Sequence, residues 1–406
     1  MRIELAVELY GTRVGVLRGD DWRTADLTFD AAALERWGVN SPVLSVAAPL
    51  TLRPRRTHAD RRRNVLAEVL PEGPMRDRLA RMAGVSPRDE AGLLARFGRD
   101  VAGALQIYDP RSPWEPPTPA LNPVDDEAIA ALIDDVALGN HPRAGKTSLA
   151  GVQPKLVLTR AEGAWFQPIG GAPSTHIVKP ALPGRESEPA EEEFGQRLAR
   201  RLGLCDNEVR LALLGGRECL VIERFDRIDG QRLHQEDFNQ ALGLAGDAKY
   251  QEYGGHARML RVAEVVRQFA PADLGRLAAH LTLAVAIGNL DLHAKNLGLL
   301  HPADGSTALA PAYDMVPMAH RKGIDGRLAM AVAGEYWLSA ITREHLEREV
   351  TSWGGEAQVV GETLERIRDL LPAESPQAGR EQAATRIADA VERLLASAPI
   401  AGAFTH

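Results

Sequence analysis

Strand-like segments dominate the first half of this chain, and helix-like segments dominate the second half. From Ile3 to Leu9, apolar and polar side chains alternate with the two-residue period of a half-buried strand. From Phe238 onward the apolar residues recur at helical spacing, and residues 343–397 continue that pattern. This order favours an α+β fold with two lobes, and ligands usually bind in the cleft between such lobes.

A proline-dense segment separates an N-terminal unit from the rest of the chain. Six prolines fall between Pro110 and Pro123, and proline at this density blocks helices and central strands. We therefore expect a linker there. The predicted domains are an N-terminal α/β subdomain at residues 1–110, a small sheet-based lobe at 125–226 and a mainly helical lobe at 227–406.

Local patterns predict the elements of these units. Apolar periodicity, Gly turns and helix-ending residues mark their positions. The predicted helices cover residues 75–82, 90–97, about 125–139 and about 191–203, and the predicted strands cover 155–158, 165–167, 175–179, 209–213 and 219–223. A hairpin turning at Gly11 is predicted at the N-terminus, and Gly215 and Gly216 are expected to join the last two strands.

Composition narrows the class of protein. The chain has 406 residues, 45% of them hydrophobic and 25% charged, which is typical of globular proteins. A net charge of −7 argues against a surface built mainly for nucleic acid. Two cysteines, Cys205 and Cys219, indicate buried thiols rather than a disulfide framework. Without a leader pattern or a membrane-length apolar run, we expect a cytoplasmic protein that does not engage a membrane.

A cluster of polar residues follows a predicted apolar helix at Asn289. Asp291, His293, Lys295 and Asn296 lie within six residues of one another. Taken singly, an aspartate here is more often a helix cap or a turn residue. The crowding of four such side chains favours a functional site instead.

Asp314 lies 23 residues after Asp291. The residues between them read as two short strands around a turn at 301–305, and a hairpin brings its two ends together. Both carboxylates can then face one site. In phosphoryl transfer, one carboxylate accepts the proton of the attacking hydroxyl, while an Asn and a second Asp hold Mg²⁺. We expect Asp291 as the base and Asn296 and Asp314 on the metal.

The cluster also contains candidate groups for the charge on the transferred phosphoryl. His293 or Lys295 could stabilise that charge, because a fixed cation or donor acts strongly in a water-poor site. Sequence alone does not choose between them.

Two segments further upstream suggest phosphate binding. Lys179 ends a predicted strand, and an acidic residue on the next helix can orient it; Glu192 is the candidate, with Glu191 and Glu193 as rivals. A solvated acidic helix start explains these glutamates equally well. The glycine-containing loop from Ser148 to Lys155 precedes a strand and can bring backbone N–H groups to phosphates, although alone it reads better as a plain turn.

Glu223, Arg224 and Phe225 follow the last strand of the predicted small sheet. In a two-lobed kinase the hinge that binds adenine lies at this point of the chain. Phe225 is equally compatible with a core position, and the two interpretations stay open.

These motifs, in this order, resemble the HipA family, the Ser/Thr kinase toxins of bacterial toxin–antitoxin pairs. The resemblance covers nearly the whole chain, and its specificity lies in the ordered set rather than in any one motif. The matching segments are 70–73, 98–107, 148–155, 175–180, 223–227, 234–237, 249–250, 291–296 and 311–314.

The resemblance implies a fold like those of protein kinases and phosphoinositide kinases, and the use of ATP and Mg²⁺. It implies Asp291 as catalytic base, Asn296 and Asp314 as metal ligands, and Ser148 as an autophosphorylation site whose modification silences the kinase. Pro154 stands where the family often has an acidic residue, and proline stiffens the loop. The implied ATP-binding residues are Ala150, Gly151, Val152, Gln153, Pro154, Lys155, Lys179, Glu223, Arg224, Phe225 and Tyr313.

The resemblance also implies partners. The family acts on aminoacyl-tRNA synthetases and pairs with a small HipB-like helix-turn-helix antitoxin, which binds operator DNA. A kinase-like corepressor and a small-molecule or lipid kinase are the competing functions. A basic cluster, Arg53 to Arg63, could meet DNA or an acidic partner, but solvated or carboxylate-paired arginines are the simpler interpretation.

Overall fold

The structure is a computed structural model, and it describes residues 2–111, 118–137, 153–251, 256–374 and 380–401. The strands are β1 (Ile3–Leu9), β2 (Thr12–Gly19), β3 (Asp26–Phe29), β4 (Gln106–Tyr108), β5 (Ala120–Val124), β6 (Leu156–Ala161), β7 (Ala164–Ile169), β8 (His176–Pro180), β9 (Val209–Leu214), β10 (Arg217–Glu223), β11 (Arg227–Ile228), β12 (Gln231–Arg232), β13 (His234–Asp237), β14 (Gly298–His301), β15 (Ala308–Leu309), β16 (Arg327–Val332) and β17 (Glu335–Trp337). The helices are α1 (Ala31–Trp37), α2 (Ala59–Ala67), α3 (Gly73–Ala83), α4 (Glu90–Phe97), α5 (Asp126–Ala137), α6 (Glu188–Arg201), α7 (Phe238–Ala241), α8 (Met259–Phe269), α9 (Leu274–Ile287), α10 (Arg343–Ser352), α11 (Gln358–Glu374) and α12 (Glu381–Leu395).

The N-terminal unit is a four-stranded sheet in the order β3-β2-β1-β4, packed against helices. The predicted hairpin is confirmed. Tyr10 and Gly11 both have positive φ, 51° and 72°, as the two central residues of a type I′ hairpin turn require. The predicted helices at 75–82 and 90–97 are confirmed as α3 and α4. Of the basic cluster, Arg62 is buried and pairs bidentately with Asp26, which fits the simpler interpretation at that position.

The small lobe is a six-stranded sheet in the order β5-β7-β6-β8-β10-β9, with α5 packed on one face through Ile129 and Ile133. The predicted linker was drawn too long, because its last residues form β5, which pairs with β7. Pro123 fits there because β5 is an edge strand, where a missing N–H breaks no ladder bond.

Helix α6 begins at Glu188, three residues before the predicted start, with Pro189 in its first turn, a position that proline suits. Phe194 and Leu198 are buried in the core of the helical lobe. Helix α6 therefore packs between the sheet and the helical lobe, and its buried glutamates lie near both.

The helical lobe contains the predicted hairpin between the two aspartates, confirmed as β14 and β15 with Leu299 opposite Leu309. β13 extends this sheet on the other side of β14. The C-terminal segment is helical, as predicted (α10, α11 and α12). The hairpin of β16 and β17 was not predicted, because the chain beyond Phe238 was expected to be mainly helical. Its turn residues Ala333 and Gly334 both have positive φ, 51° and 89°.

Three separate hydrophobic clusters underlie these units. They agree with a division at 1–110, 125–226 and 227–406 except at α6, whose Phe194 and Leu198 belong to the core of the helical lobe. The division stays our proposal. Both cysteines are buried and unpaired with each other. Within the described ranges, no helix is both long and apolar enough to cross a bilayer.

Candidate active site

One cleft brings together the predicted site residues that the structure describes. It has a cavity of about 450 Å³ and is lined by residues of all three units. Ser148, Ala150, Gly151 and Val152 lie outside the described residues. The predicted residues on its wall are Gln153, Pro154, Lys155, Lys179, Glu223, Arg224, Phe225, Asp291, His293, Lys295, Asn296, Tyr313 and Asp314.

Lys179 lies on the cleft wall, near the end of β8. Its ammonium donates to Glu192 Oε1 and to Asp314 Oδ1, both at 2.7 Å. Burial alone lowers the pKa of this lysine, but the two carboxylates outweigh burial and hold its pKa above the usual value. Lys179 is therefore a fixed cation at neutral pH.

The structure also shows which of the three candidate glutamates of α6 pairs with Lys179. Glu192 is the partner of Lys179, as expected. Glu191 instead pairs with His320 and Arg321. The third, Glu193, pairs with Arg380 of the C-terminal segment, so each glutamate faces a different part of the fold.

Asp314 has the left-handed backbone conformation (φ 53°), which aspartate tolerates better than most residues. Its carbonyl accepts a hydrogen bond from Asn289 Nδ2 at 3.0 Å. Burial would raise the pKa of its carboxyl, but Lys179 and Lys155 hold that pKa well below the usual range. The side chain is thus an ionised carboxylate on the cleft wall. Burial, with repulsion from Lys179, lowers the pKa of Lys155 to about 8.

Asp291 lies on the loop that follows α9. Gly288 ends this helix with φ 68°, and a Cβ there would lie 2.5 Å from Ala319 Cβ, so a glycine is required. Asn289 Oδ1 accepts from the Asp291 N–H at 3.1 Å, and Asn296 Nδ2 donates to the Asp291 carbonyl at 2.8 Å. These two asparagines hold the loop in shape.

The Asp291 carboxylate faces the cleft, with 52% of its side chain exposed. Loss of hydration in the cleft, followed by repulsion from Asp314, raises its pKa to about 6. A carboxylate with that pKa is ionised at neutral pH and accepts a proton more readily than an ordinary aspartate.

His293 lies beside this base, with Nε2 3.8 Å from Asp291 Oδ1. The Tyr250 ring meets its ring edge-on at a centroid distance of 5.1 Å. Burial, and then the charge of Lys249, lowers the pKa of His293 to about 4. The imidazole is neutral at pH 7, so it can donate or accept a hydrogen bond but adds no positive charge to the site.

The contacts of Lys295 do not fit the role in charge stabilisation that was expected for it. Its ammonium donates to the Glu68 carboxylate at 2.8 Å and lies 3.3 Å from Asp237 Oδ2 and 3.6 Å from Glu72 Oε1. Three carboxylates thus lie within 4 Å of this ammonium group. We therefore revise its expected role from charge stabilisation to anchoring the loop on the N-terminal unit.

The cleft wall also carries two aromatic rings, Phe225 and Tyr313. Phe225 and Tyr313 stack with centroids 5.6 Å apart and planes at 29°. Phe225 lines the cavity, which favours the site interpretation over a pure core role. The Tyr313 hydroxyl donates to the Lys295 carbonyl at 2.9 Å, so this ring is fixed to the loop that carries Asp291.

The Arg224 side chain is held in a buried hydrogen-bond network. Its guanidinium donates to both oxygens of Asp226 at 2.8 Å and to the Val101 carbonyl at 3.0 Å. It also donates to Ser174 Oγ at 2.7 Å. Its backbone N–H donates to the Thr175 carbonyl at 2.9 Å and its backbone carbonyl accepts from the Arg227 N–H at 3.1 Å. Arg224 therefore lines the cleft mainly as part of the framework of the fold.

Sequence reasoning gave no role to several residues of the cleft. Glu68, Glu72 and Lys249 are the most important, and they come from segments far apart in the chain. Glu72 and Lys249 did lie in matched motifs, which was the one available signal. Their contact, across 177 positions, follows from no local pattern.

Comparison with known proteins shows the family to which this chain belongs. The model of the HipA-like C-terminal domain matches residues 147–393, and the HipA N-terminal domain matches residues 5–108. A Sinorhizobium fredii protein named as a kinase, Y4mE, is 32% identical over 363 residues, which cover 85% of this chain and 83% of that protein.

Two further likenesses come from Shewanella oneidensis. Its serine/threonine-protein kinase toxin HipA is 29% identical over 76% of this chain and 75% of its own length. A solved structure of HipA with HipB and operator DNA superposes with a TM-score of 0.77 at 25% identity, covering 97% of this chain and 96% of that one. The fold is thus the two-lobed, kinase-like α+β fold, and this chain belongs to the HipA family of serine/threonine kinases.

Proposed function

We propose that this chain is an ATP- and Mg²⁺-dependent protein kinase and the toxin of a toxin–antitoxin pair. The observation that carries the proposal is the convergence of Asp291, Asn296 and Asp314 with the Lys179–Glu192 pair in one cleft. These are the parts that phosphoryl transfer needs: a base, oxygen ligands for a hard cation and an oriented lysine.

The nucleotide would lie along the cleft from Phe225 to Asp291. Backbone groups of Glu223 and Phe225 would meet the adenine, and the stacked pair of Phe225 and Tyr313 would cover its face. Lys179 and Lys155 would face the phosphates. The proposed phosphate-binding loop is the segment from Ser148 to Lys155, of which residues 148–152 lie outside the described residues.

The donors present fit a magnesium ion. Asn296 uses its amide nitrogen on the Asp291 carbonyl, which leaves the amide oxygen for a metal. Asp314 gives Oδ1 to Lys179 and keeps Oδ2. Among the described residues, no group of three or more His, Cys, Asp and Glu is placed to hold an ion; Mg²⁺ commonly takes only one or two protein oxygens and completes its shell with waters and phosphates.

Each of these residues has its own role in the proposed reaction. Asp291 accepts the proton of the attacking hydroxyl, and its raised pKa suits that task. Glu192 keeps Lys179 oriented, and Asn289 with Asn296 keeps the loop of Asp291 in place. Mg²⁺, when bound, neutralises charge on the phosphates.

Regulation and partners are part of the same proposal. Phosphorylation of Ser148 would place almost two negative charges beside the phosphates of ATP and so oppose its binding. Because the Shewanella relative was solved with HipB and operator DNA, we propose a helix-turn-helix antitoxin as partner and DNA contact through it. The proposed protein substrate is a translation component such as an aminoacyl-tRNA synthetase.

Labelled ATP tests the proposal directly. The purified chain is incubated with γ-labelled ATP, Mg²⁺ and cell lysate, and we expect label on the chain and on a small set of lysate proteins. Ser148→Ala should remove the label from the chain but not from the lysate proteins. Label on a metabolite alone would point to a small-molecule kinase, and no labelling at all would favour a corepressor.

Catalysis should depend on pH through Asp291. Its pKa of about 6 means that the base form is lost as the pH falls below that value, so kcat/KM for MgATP should fall about tenfold per unit below pH 6. Above pH 7, where Asp291 is ionised, kcat/KM should not change further through this group. A profile without a bend between pH 5 and 7 would contradict the assignment of Asp291 as the base.

A further inference from the structure

Lys249 is a buried lysine for which the proposed mechanism has no use. It ends a short 3₁₀ helix, Gly246–Lys249, and lines the cleft beside Asp291 and His293. Its ammonium lies 2.5 Å from Glu72 Oε2 and 5.1 Å from the centroid of the Tyr250 ring. Burying a cation is costly unless it is paired, and Glu72 is the partner that holds this cation on the cleft wall.

Two other lysines of the cleft, Lys179 and Lys295, have more carboxylates within ion-pair distance than Lys249 has. Lys179 is shared between two carboxylates, and Lys295 is surrounded by three. Lys249 has one carboxylate within ion-pair distance among the described residues. Its remaining donors are thus available for an anion that enters the cleft.

The charge of Lys249 acts at the reacting end of the cleft. It lowers the pKa of Asp291, opposing the effects of burial and of Asp314. It lowers the pKa of His293 as well. The contacts agree with this: the Tyr250 ring centroid lies 5.1 Å from the Lys249 ammonium and 5.1 Å from the His293 ring, and His293 Nε2 lies 3.8 Å from Asp291 Oδ1. The positive charge is therefore close to the side chain that would take the proton from the attacking hydroxyl.

We propose that Lys249 is a catalytic residue that stabilises the negative charge on the phosphoryl group during transfer, and that Glu72 positions it. The inference rests on the proposed kinase function. It assigns to Lys249 the task that the sequence suggested for Lys295 or His293, because Lys295 is occupied and His293 is neutral. A fixed cation in a water-poor site acts most strongly where charge develops.

Glu72 links this lysine to the rest of the fold. One oxygen meets Lys249 at 2.5 Å and the other lies 3.6 Å from Lys295. The residue stands just before α3, in the N-terminal unit. That unit thereby supplies a residue that holds two lysines of the active cleft, so the N-terminal unit completes the catalytic site.

Lys249→Met tests the catalytic role. The rate of autophosphorylation is followed with γ-labelled ATP over a range of MgATP concentrations, with MgADP binding measured separately by calorimetry. We expect a maximal rate about 100-fold lower, with an unchanged half-saturating MgATP concentration and unchanged MgADP affinity. The matched control is Lys322→Met, which removes the same charge from an exposed loop and should leave the rate unaltered.

A double-mutant cycle tests the positioning role. Glu72→Gln should lower the maximal rate about tenfold in the wild-type background and have little further effect in the Lys249→Met background, since residues that act through each other are not additive. Glu72→Asp should recover part of the rate. Glu90→Gln, which breaks the Arg76 pair in the same unit, is the control and should not change the rate.

The outcomes separate this inference from the function on which it rests. If Lys249→Met keeps the wild-type rate while Asp291→Asn is inactive, the kinase assignment stands and the role of Lys249 is wrong. If Glu72→Gln lowers the rate equally in both backgrounds, its positioning role is wrong. If the wild-type chain transfers no phosphate at all, the function and this inference fail together.

Discussion

Replacing Asp291 by Asn should lower the rate of phosphotransfer roughly 10³-fold, within the range that general bases contribute. Asparagine keeps the shape of the side chain but cannot accept the proton at neutral pH. The loop should keep its form, because Asn289 and Asn296 bind the backbone N–H and carbonyl of residue 291 rather than its side chain. Phosphoproteomics after brief induction of wild type and variant measures the effect in cells, where the variant should also be non-toxic.

Asp304→Asn is the matched control. Asp304 lies on the exposed turn between β14 and β15, where it accepts from Ser306, and the same substitution there should leave the rate unaltered. Thermal unfolding should give the same Tm for Asp291→Asn as for the wild type, within a few degrees. Full activity in a folded Asp291→Asn protein would show that another group is the base.

Replacing Asp226 by Asn should destabilise the fold by about 3–5 kcal/mol, the usual cost of breaking a buried ion pair from one side. The Asp226 carboxylate lies between Arg224 and Arg227, at 2.8 and 3.1 Å, and accepts from the Gly103 N–H at 2.6 Å. All three side chains are nearly inaccessible to solvent. The neutral amide leaves two buried guanidinium groups with less opposing charge.

Urea unfolding measures this cost, with Asp134→Asn as control. Asp134 pairs with Arg217 at 2.7 Å, but both side chains are 47% exposed, so its loss should change the free energy of unfolding by less than about 1 kcal/mol. Because the Asp226 network joins residues 101–103 to the segment that holds Phe225, MgADP affinity should fall as well. A stability equal to that of the control would mean that the network contributes little.

Local patterns in the sequence were enough for most elements and for the centre of the site. The alternation of Ile3 to Leu9 and the turn at Gly11 determine a hairpin because side-chain period and turn chemistry are local properties. The spacing of Asp291 and Asn296 after an apolar helix, and the hairpin that leads to Asp314, placed both carboxylates at one site. The ordered motifs then indicated the family, which the comparisons confirm.

Only the tertiary structure decided which groups meet. Glu191, Glu192 and Glu193 are adjacent and chemically identical, yet each faces a different partner because successive helical residues point about 100° apart and the surrounding lobes differ. Likewise, the local crowding around Asp291 indicated Lys295 as a candidate cation and gave no reason to consider Lys249. Glu68 and Glu72, brought in by the N-terminal unit, occupy the first and position the second. Such pairings depend on how distant segments pack, and side-chain periodicity carries no information about contacts between segments far apart in the chain.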